Sequence, residues 1–283
     1  MAEKRVIEMY SQITLLGNSQ DAGRPQLGCG QKCCEDARAD YSLVRHPVSL
    51  GLHGEKFGIV EVTRCISYQT SMVGNPEISD IWLTHAHLGH IEGLGQFGKE
   101  ALNSRNVKLH CSDSVSNYIF SHPLWRKLFE RGNIGFDNFT TDYVIPVEVP
   151  HRAKDFDTYG LLFKGQSKNL FFLPDHDSWE ETLRFVAEDN PLNWFKSLEA
   201  DIVLLDGTFW DEKELKDRPQ NKVSHPTVKN TLELVEKRDY GHPRIVFVHF
   251  NHTNPLHYPD SSEFKKVIDM GWEIGEEGME FSI

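Results

Sequence analysis

Three histidines, His85, His87 and His90, fall within six residues, directly behind the apolar run Ile81-Trp82-Leu83. The run reads as a buried strand, and Gly93 and Gly95 behind it read as a turn into a helix. Residues two apart on an extended chain point the same way. His85 and His87 can therefore face one ion, with His90 added from the turn beyond. Neutral imidazole is the commonest ligand for zinc and suits iron as well. A histidine cluster this dense at a strand end has no packing reason to exist, which argues against a plain surface loop. The rest of the chain must supply a fold that brings further ligands to the end of this strand.

Strand-like and helix-like segments alternate along the sequence. Strands are predicted at 13–17, 57–62, 107–111 and 144–149. A hairpin follows at 159–163 and 170–173, then strands at 202–205, 245–250 and 279–283. The all-apolar segment 202–205 implies burial on both faces. Helices are predicted at 99–103, 116–120, 124–131, 179–187 and 262–270, with a loop over 70–79. Ser224-His225-Pro226 opens a further helix running to Val235, with Ser224 as its cap and Pro226 in its first turn. The alternation predicts an α/β fold. With no internal repeat and no low-complexity linker, residues 1–283 read as one domain.

Charge narrows the function classes. The formal net charge is −12, a poor match for a broad nucleic-acid surface, which needs basic patches to displace counterions. No apolar run approaches the ~20 residues of a membrane span. The expected partner is a small-molecule substrate, with no membrane and no nucleic acid involved; a homodimer stays open. Met1-Ala2-Glu3-Lys4-Arg5 leads to no long apolar core, so no signal peptide is expected and the cytoplasm is the expected compartment. There, five cysteines read as thiols or ligands rather than disulfides. Cys29, Cys33 and Cys34 lie within six residues and can close on one structural metal ion that needs a fourth ligand from elsewhere. The adjacent pair Cys33-Cys34 is an awkward fit to a single ion. Cys65 and Cys111 stand alone beside apolar runs and read as core cysteines.

Further donors end strands downstream. His151 follows the segment 144–149, Asp175 follows the second arm of the hairpin, and Asp206 closes the apolar strand. The order His85-x-His87-x-x-His90, His151, Asp175, His249 resembles the ligand set of the metallo-β-lactamase superfamily. Within it the chain is similar to the branch around coenzyme PQQ synthesis protein B. The segments that carry this likeness are Gln20-Asp21-Ala22-Gly23-Arg24-Pro25-Gln26, Leu83-Thr84-His85-Ala86-His87, Val149-Pro150-His151-Arg152, Leu173-Pro174-Asp175 and Asn251-His252-Thr253-Asn254-Pro255.

The resemblance implies a four-layer αββα sandwich with a metal site at one edge between the sheets. It implies His85, His87 and His151 at one ion and His90, Asp175 and His249 at a second, with Asp175 bridging. Zinc is the expected metal, as one or two active-site divalent ions, with iron or manganese as alternatives. The likeness of Ser224-His225-Pro226 and Val248-His249-Phe250-Asn251 to phosphodiesterase members, such as tRNA-processing nucleases, implies His225 as a catalytic proton donor supported by Asp206. A likeness to cyclic phosphodiesterases of phosphonate breakdown implies His252 as the fourth ligand of a structural zinc with Cys29, Cys33 and Cys34.

One position departs from the family: Gly89 stands where the motif His-x-His-x-Asp-His has its aspartate. The second ion is therefore expected to have only His90, Asp175 and His249 and to bind more weakly than the first, and Gly89→Asp is expected to tighten it. PQQ synthesis proteins alter the motif differently, keeping the aspartate and losing a histidine. The function implied first is a metal-dependent hydrolase that activates water on a phosphodiester or similar ester. The alternatives are an iron-dependent oxygenase or hydroxylase of PQQ biosynthesis, and a non-catalytic binder or carrier of a small anionic metabolite.

Overall fold

Hydrophobic alternation along the strands builds the fold from its centre outward. In a computed structural model that describes residues 10–215 and 225–283, the strands form two sheets. The first contains β1 (Tyr10–Gly17), β2 (Ser49–Gly54), β3 (Phe57–Val60), β4 (Ile78–Trp82), β5 (Val107–His110), β6 (Ile134–Asp137) and, at its edge, β13 (Glu280–Ser282), in the order β13-β1-β2-β3-β4-β5-β6. The second contains β7 (Val144–Val149), β8 (Thr158–Phe163), β9 (Leu170–Leu173), β10 (Ile202–Asp206), β11 (Arg244–Val248) and β12 (Glu273–Ile274), in the order β12-β11-β10-β9-β8-β7. Strands β3 to β6 run parallel, as do β9 to β12.

Successive residues of a strand point to opposite faces, and the cores divide accordingly. Ile202 and Leu204 of β10 pack with Ile13, Leu15, Leu50 and Trp82 of the other sheet. Val203 and Leu205 face outward and pack with helices α6 (Trp179–Val186), α7 (Pro191–Ser197), α8 (Val228–Val235) and α9 (Ser262–Asp269). On the other side, Ile81 and Leu83 flank the inward-facing Trp82 and pack against α2 (Ile66–Ser71), α3 (Leu88–Ile91), α4 (Asp113–Ser121) and α5 (Pro123–Glu130). The result is the αββα sandwich of four layers. Each fully buried Leu or Ile contributes roughly 1.5–3 kcal/mol by leaving water. At one edge, Ser19 bridges both Pro47 and Phe250, tying the end of β1 to the end of β11.

Local differences from the sequence reading have local causes. Residues 99–103 form turns, because the chain behind His90 tightens into a 3₁₀ segment, Glu92–Phe97, containing Gly93 and Gly95. Helix α2 occupies part of what reads as the loop before β4. Strand β2 is hard to see because Ser-Leu-Gly-Leu-His-Gly mixes glycine into its alternation, and α7 is hidden behind Asn190-Pro191, its cap and first residue. Helix α8 is capped by Thr227, whose side chain accepts from the Asn230 N–H; Pro226 precedes the cap, and Ser224 lies outside the described residues. Cys111 is buried, but Cys65 caps α2 and is only half-buried. Among the described residues, no helix is long and apolar enough to cross a membrane.

Candidate metal centre

Beyond β4 the chain continues through Leu83, whose N–H donates to the His110 carbonyl, and bends at Thr84. The Thr84 carbonyl accepts from Tyr159 N–H of the opposite sheet, which fixes where His85 emerges. The Thr84 hydroxyl lies 2.6 Å from Glu61 Oε1 and 2.9 Å from His85 Nδ1. A carboxylate only accepts, so the hydroxyl donates to Glu61 and its oxygen accepts from His85 Nδ1–H. His85 Nε2 therefore keeps its lone pair, aimed at His87 Nδ1 2.8 Å away. His151, behind β7, completes a triad with these two, their donor atoms all within 4.8 Å of one another.

The same device recurs at the end of the second sheet. Asp206 closes β10 and accepts from the Thr208 hydroxyl at 2.7 Å; Thr208 Oγ1 in turn lies 2.8 Å from His249 Nδ1. By the same reasoning the network assigns the His249 proton to Nδ1 and leaves Nε2 as the donor atom. His249 takes a left-handed backbone, φ +65°, to turn back toward the site, and Glu61 does likewise at +61°. Asp206 Oδ2 also accepts from His225 Nδ1 at 2.7 Å, so one buried carboxylate orients two imidazoles.

Asp175, behind β9, lies between the clusters. Its Oδ1 is 3.8 Å from His151 Nε2 and 3.9 Å from His225 Nε2; its Oδ2 is 3.5 Å from His90 Nε2 and 3.6 Å from His249 Nε2. Asp21, from the loop behind β1, places Oδ1 3.2 Å from His90 Nε2 and 3.7 Å from His249 Nε2. Glu61 Oε2 stands 3.5 Å from the other nitrogen of His90. The six histidine and aspartate ligands implied by the resemblance thus converge, with His225 and Asp206 beside them. Asp21, Glu61, Thr84 and Thr208 escaped the sequence reading. For Asp21 a signal existed: a motif lacking its carboxylate at Gly89, and an aspartate in a distinctive loop behind the first strand.

These residues fit divalent cations. Asp175 Oδ2 and His249 Nε2 are buried without any hydrogen-bond partner in the protein, a state that a bound cation relieves. Four donor–donor distances around the His90 cluster run from 3.2 to 3.7 Å, against about 3.3 Å for the edge of a tetrahedron with zinc–nitrogen or zinc–oxygen bonds. Burial pushes His85 well below its ordinary pKa and His87 down to about 4, which keeps both imidazoles neutral with lone pairs available. Burial would also lower His90, but the carboxylates of Glu61, Asp175 and Asp21 outweigh it and hold the ring well above its ordinary value. That negative potential suits a dication. At His225 burial is outweighed by Asp206, whose charge and hydrogen bond raise the pKa to about 9.

A second cluster lies beyond the same edge. Helix α1 (Lys32–Ala39) carries Cys33 and Cys34 in its first turn, and their Sγ atoms are 3.8 Å apart and each 3.4 Å from His252 Nδ1. Cys29 joins them within 4.8 Å. An edge of about 3.8 Å is what two zinc–sulfur bonds of 2.3 Å subtend in a tetrahedron. The adjacent cysteines are no obstacle, because the start of a helix turns both thiols to one side. Gln26 N–H donates to Cys34 Sγ and Gln31 N–H to Cys29 Sγ.

Two clefts open beside the centre. One, of about 890 Å³, is lined by Asp21, Phe209, Trp210, Asn251 and Arg64; the other, of about 630 Å³, by His225, Arg152, Lys213, Lys229 and Asn230. The lining of the second cleft is mixed in charge, with Asp211, Glu212 and Glu233 interleaved among Arg152, Lys213 and Lys229.

A family model described as a beta-lactamase superfamily domain matches residues 69–250. The chain is 24% identical to coenzyme PQQ synthesis protein B of Gluconobacter oxydans (strain 621H), covering 96% of this chain and 98% of that protein. It is 22% identical to the protein of that name from Rhizobium meliloti (strain 1021), covering 95% and 96%. The solved structure of Zn(2+)-bound PqqB from Methylobacterium extorquens resembles it with a TM-score of 0.74 at 18% identity, covering 96% of this chain and all of that one. A diphosphatase from the PhnP family follows at a TM-score of 0.69 and 20% identity, covering 97% and 98%.

Proposed function

The chain belongs to the beta-lactamase superfamily, is similar to the PQQ synthesis protein B branch, and from that premise we propose that it is a metal-dependent hydrolase of a small phosphodiester or related phosphate ester. The observation that carries this reading is the position of Asp175, one oxygen facing His151 and the other facing His90 and His249. A carboxylate so placed can span two cation sites. Divalent ions, which His85, His87, His151, His90, His249 and Asp175 would hold, would supply polarisation of a substrate oxygen and a lowered pKa for water. The remaining chemistry belongs to the chain's own residues. In the mixed-charge lining beside His225, Lys213 and Lys229 are the basic groups that can pair with the substrate's anionic group, while Arg152 lies against Asp177 and Glu181. His225, fixed through Nδ1 by Asp206, whose charge and hydrogen bond favour the protonated ring, presents Nε2–H to the departing oxygen. Phe209 and Trp210 offer an apolar wall for the rest of the substrate.

The test is hydrolysis of bis(p-nitrophenyl) phosphate and a panel of small phosphate esters by zinc- and manganese-loaded protein. Turnover is expected, with His225→Ala lowering it by roughly 10²–10⁴ while bound metal stays constant. Unchanged turnover in that variant, or loss of metal instead, removes His225 from this role. Likeness to PQQ synthesis proteins over nearly the whole chain favours a second reading, an iron-dependent oxygenase. Oxygen consumption by the iron-loaded protein, with no ester hydrolysed, would select it. Bound anion without turnover would select a carrier.

A further inference from the structure

The geometry points to a relocated ligand: Asp21, on the loop behind β1, supplies the carboxylate that the histidine motif lacks at Gly89, and Gly89 is glycine so that this loop can close over it. This rests on the two-cation reading above. A Cβ placed on Gly89 would lie 2.4 Å from both Cβ and Cγ of Asp21 and 2.5 Å from its Cα. No side chain at 89 is compatible with the loop where it stands, and the loop fills that space with its own aspartate. Its Oδ1 faces His90 Nε2 and His249 Nε2, and with Asp175 Oδ2 it gives the second cluster two imidazoles and two carboxylates. Asp175 Oδ2 and His249 Nε2 are buried without hydrogen-bond partners and face this space, and His90 Nδ1, on the Glu61 side of the ring, is also without one.

The loop is fixed on both sides of Asp21. Gln20 N–H donates to the Phe250 carbonyl and Gly23 N–H to the Gln20 carbonyl, while Arg24 and Arg45 exchange backbone hydrogen bonds. The buried Arg24 side chain donates to the Cys33 carbonyl and to the Tyr258 hydroxyl, so the cysteine cluster braces the loop. Two consequences reverse what the motif alone suggests. The second ion binds with a full donor set, and Gly89→Asp weakens it by displacing Asp21.

The experiment is a competition titration of metal-stripped protein with Zn²⁺, read as stoichiometry and affinity, alongside visible spectra of the Co²⁺ form and thermal melts of the metal-free form. Asp21→Asn, which keeps the volume, is expected to lower the affinity of one active-site ion at least ~100-fold and to change the Co²⁺ spectrum. That exceeds the 10–100-fold usual for residues that only support a ligand. The other active-site ion and the cysteine-bound ion are unaffected. Gly89→Ala is expected to weaken the same ion and to lower the melting temperature, although every carboxylate is still present. Wild-type affinity for both active-site ions in Asp21→Asn, or tighter binding in Gly89→Asp, overturns the assignment. A wild-type protein that binds no active-site ion would instead defeat the two-cation reading on which the assignment rests.

Discussion

Two buried hydroxyls make opposite predictions for two ions. Thr84 and Thr208 are fully buried; each donates to a carboxylate, Glu61 or Asp206, and accepts from Nδ1 of a histidine, His85 or His249. Thr→Val at either site removes the hydroxyl at nearly constant shape. The carboxylate left behind keeps a backbone donor, Thr84 N–H at 3.2 Å from Glu61 or Thr208 N–H at 2.9 Å from Asp206, so folding suffers little. The metal-free imidazole can move its proton to Nε2. With metal bound it cannot, because Nε2 must offer its lone pair, and Nδ1–H is then buried without an acceptor. An unsatisfied buried donor costs about 1–3 kcal/mol. That agrees with the 10–100-fold loss usual when the partner of a ligating imidazole is removed, about 1.4–2.7 kcal/mol. Thr84→Val should therefore weaken the ion at the His85 cluster, and Thr208→Val the ion at the His249 cluster. Asp206 still holds His225 in the latter. Stepwise chelator competition resolves the two affinities, and melts of the metal-free proteins check that each loses no more than about 1 kcal/mol. If Thr208→Val leaves both ions at wild-type affinity, or weakens both equally, the hydroxyls do not set the tautomers.

Other perturbations report on separate features. Cys33→Ala should remove one equivalent of zinc, measured by elemental analysis, and lower the melting temperature by at least ~5 °C, since structural metal binding is coupled to folding; full zinc content with an unchanged melting point would refute the site. Glu214 is raised by burial to about 7 despite donors from Trp210 N–H and the Thr253 hydroxyl. The folded state thus binds more protons than the unfolded one between about pH 4.5 and 7. Stability attributable to this group falls as pH rises through that window, by at most roughly 3 kcal/mol. Glu214→Gln should flatten that part of the denaturation-midpoint profile, and an unchanged slope would count against the burial argument.

Much of this protein is written locally. His85 and His87 meet because they lie two apart just beyond β4, and Cys29, Cys33 and Cys34 cluster because few residues separate them. The all-apolar segment ending at Asp206 reads as doubly buried because it is sandwiched between a sheet and a helix layer. The alternation of strands and helices reads as α/β; the order of the donors carries a family resemblance, and it is the resemblance that implies the αββα sandwich. The sequence does not contain distance. Nothing in it puts Asp21 beside Gly89, sixty-eight positions later, or shows that the missing carboxylate has been supplied from another strand end. Nor does it show that Glu61 and Asp206 act on histidines through threonine hydroxyls. Those relations depend on left-handed turns at Glu61 and His249 and on the loop behind β1 closing against the other sheet at Ser19 and Phe250. A local pattern specifies which way a side chain leaves its own backbone. Which carboxylate it meets is set by the packing of two sheets, a balance of many small contacts that no single segment carries.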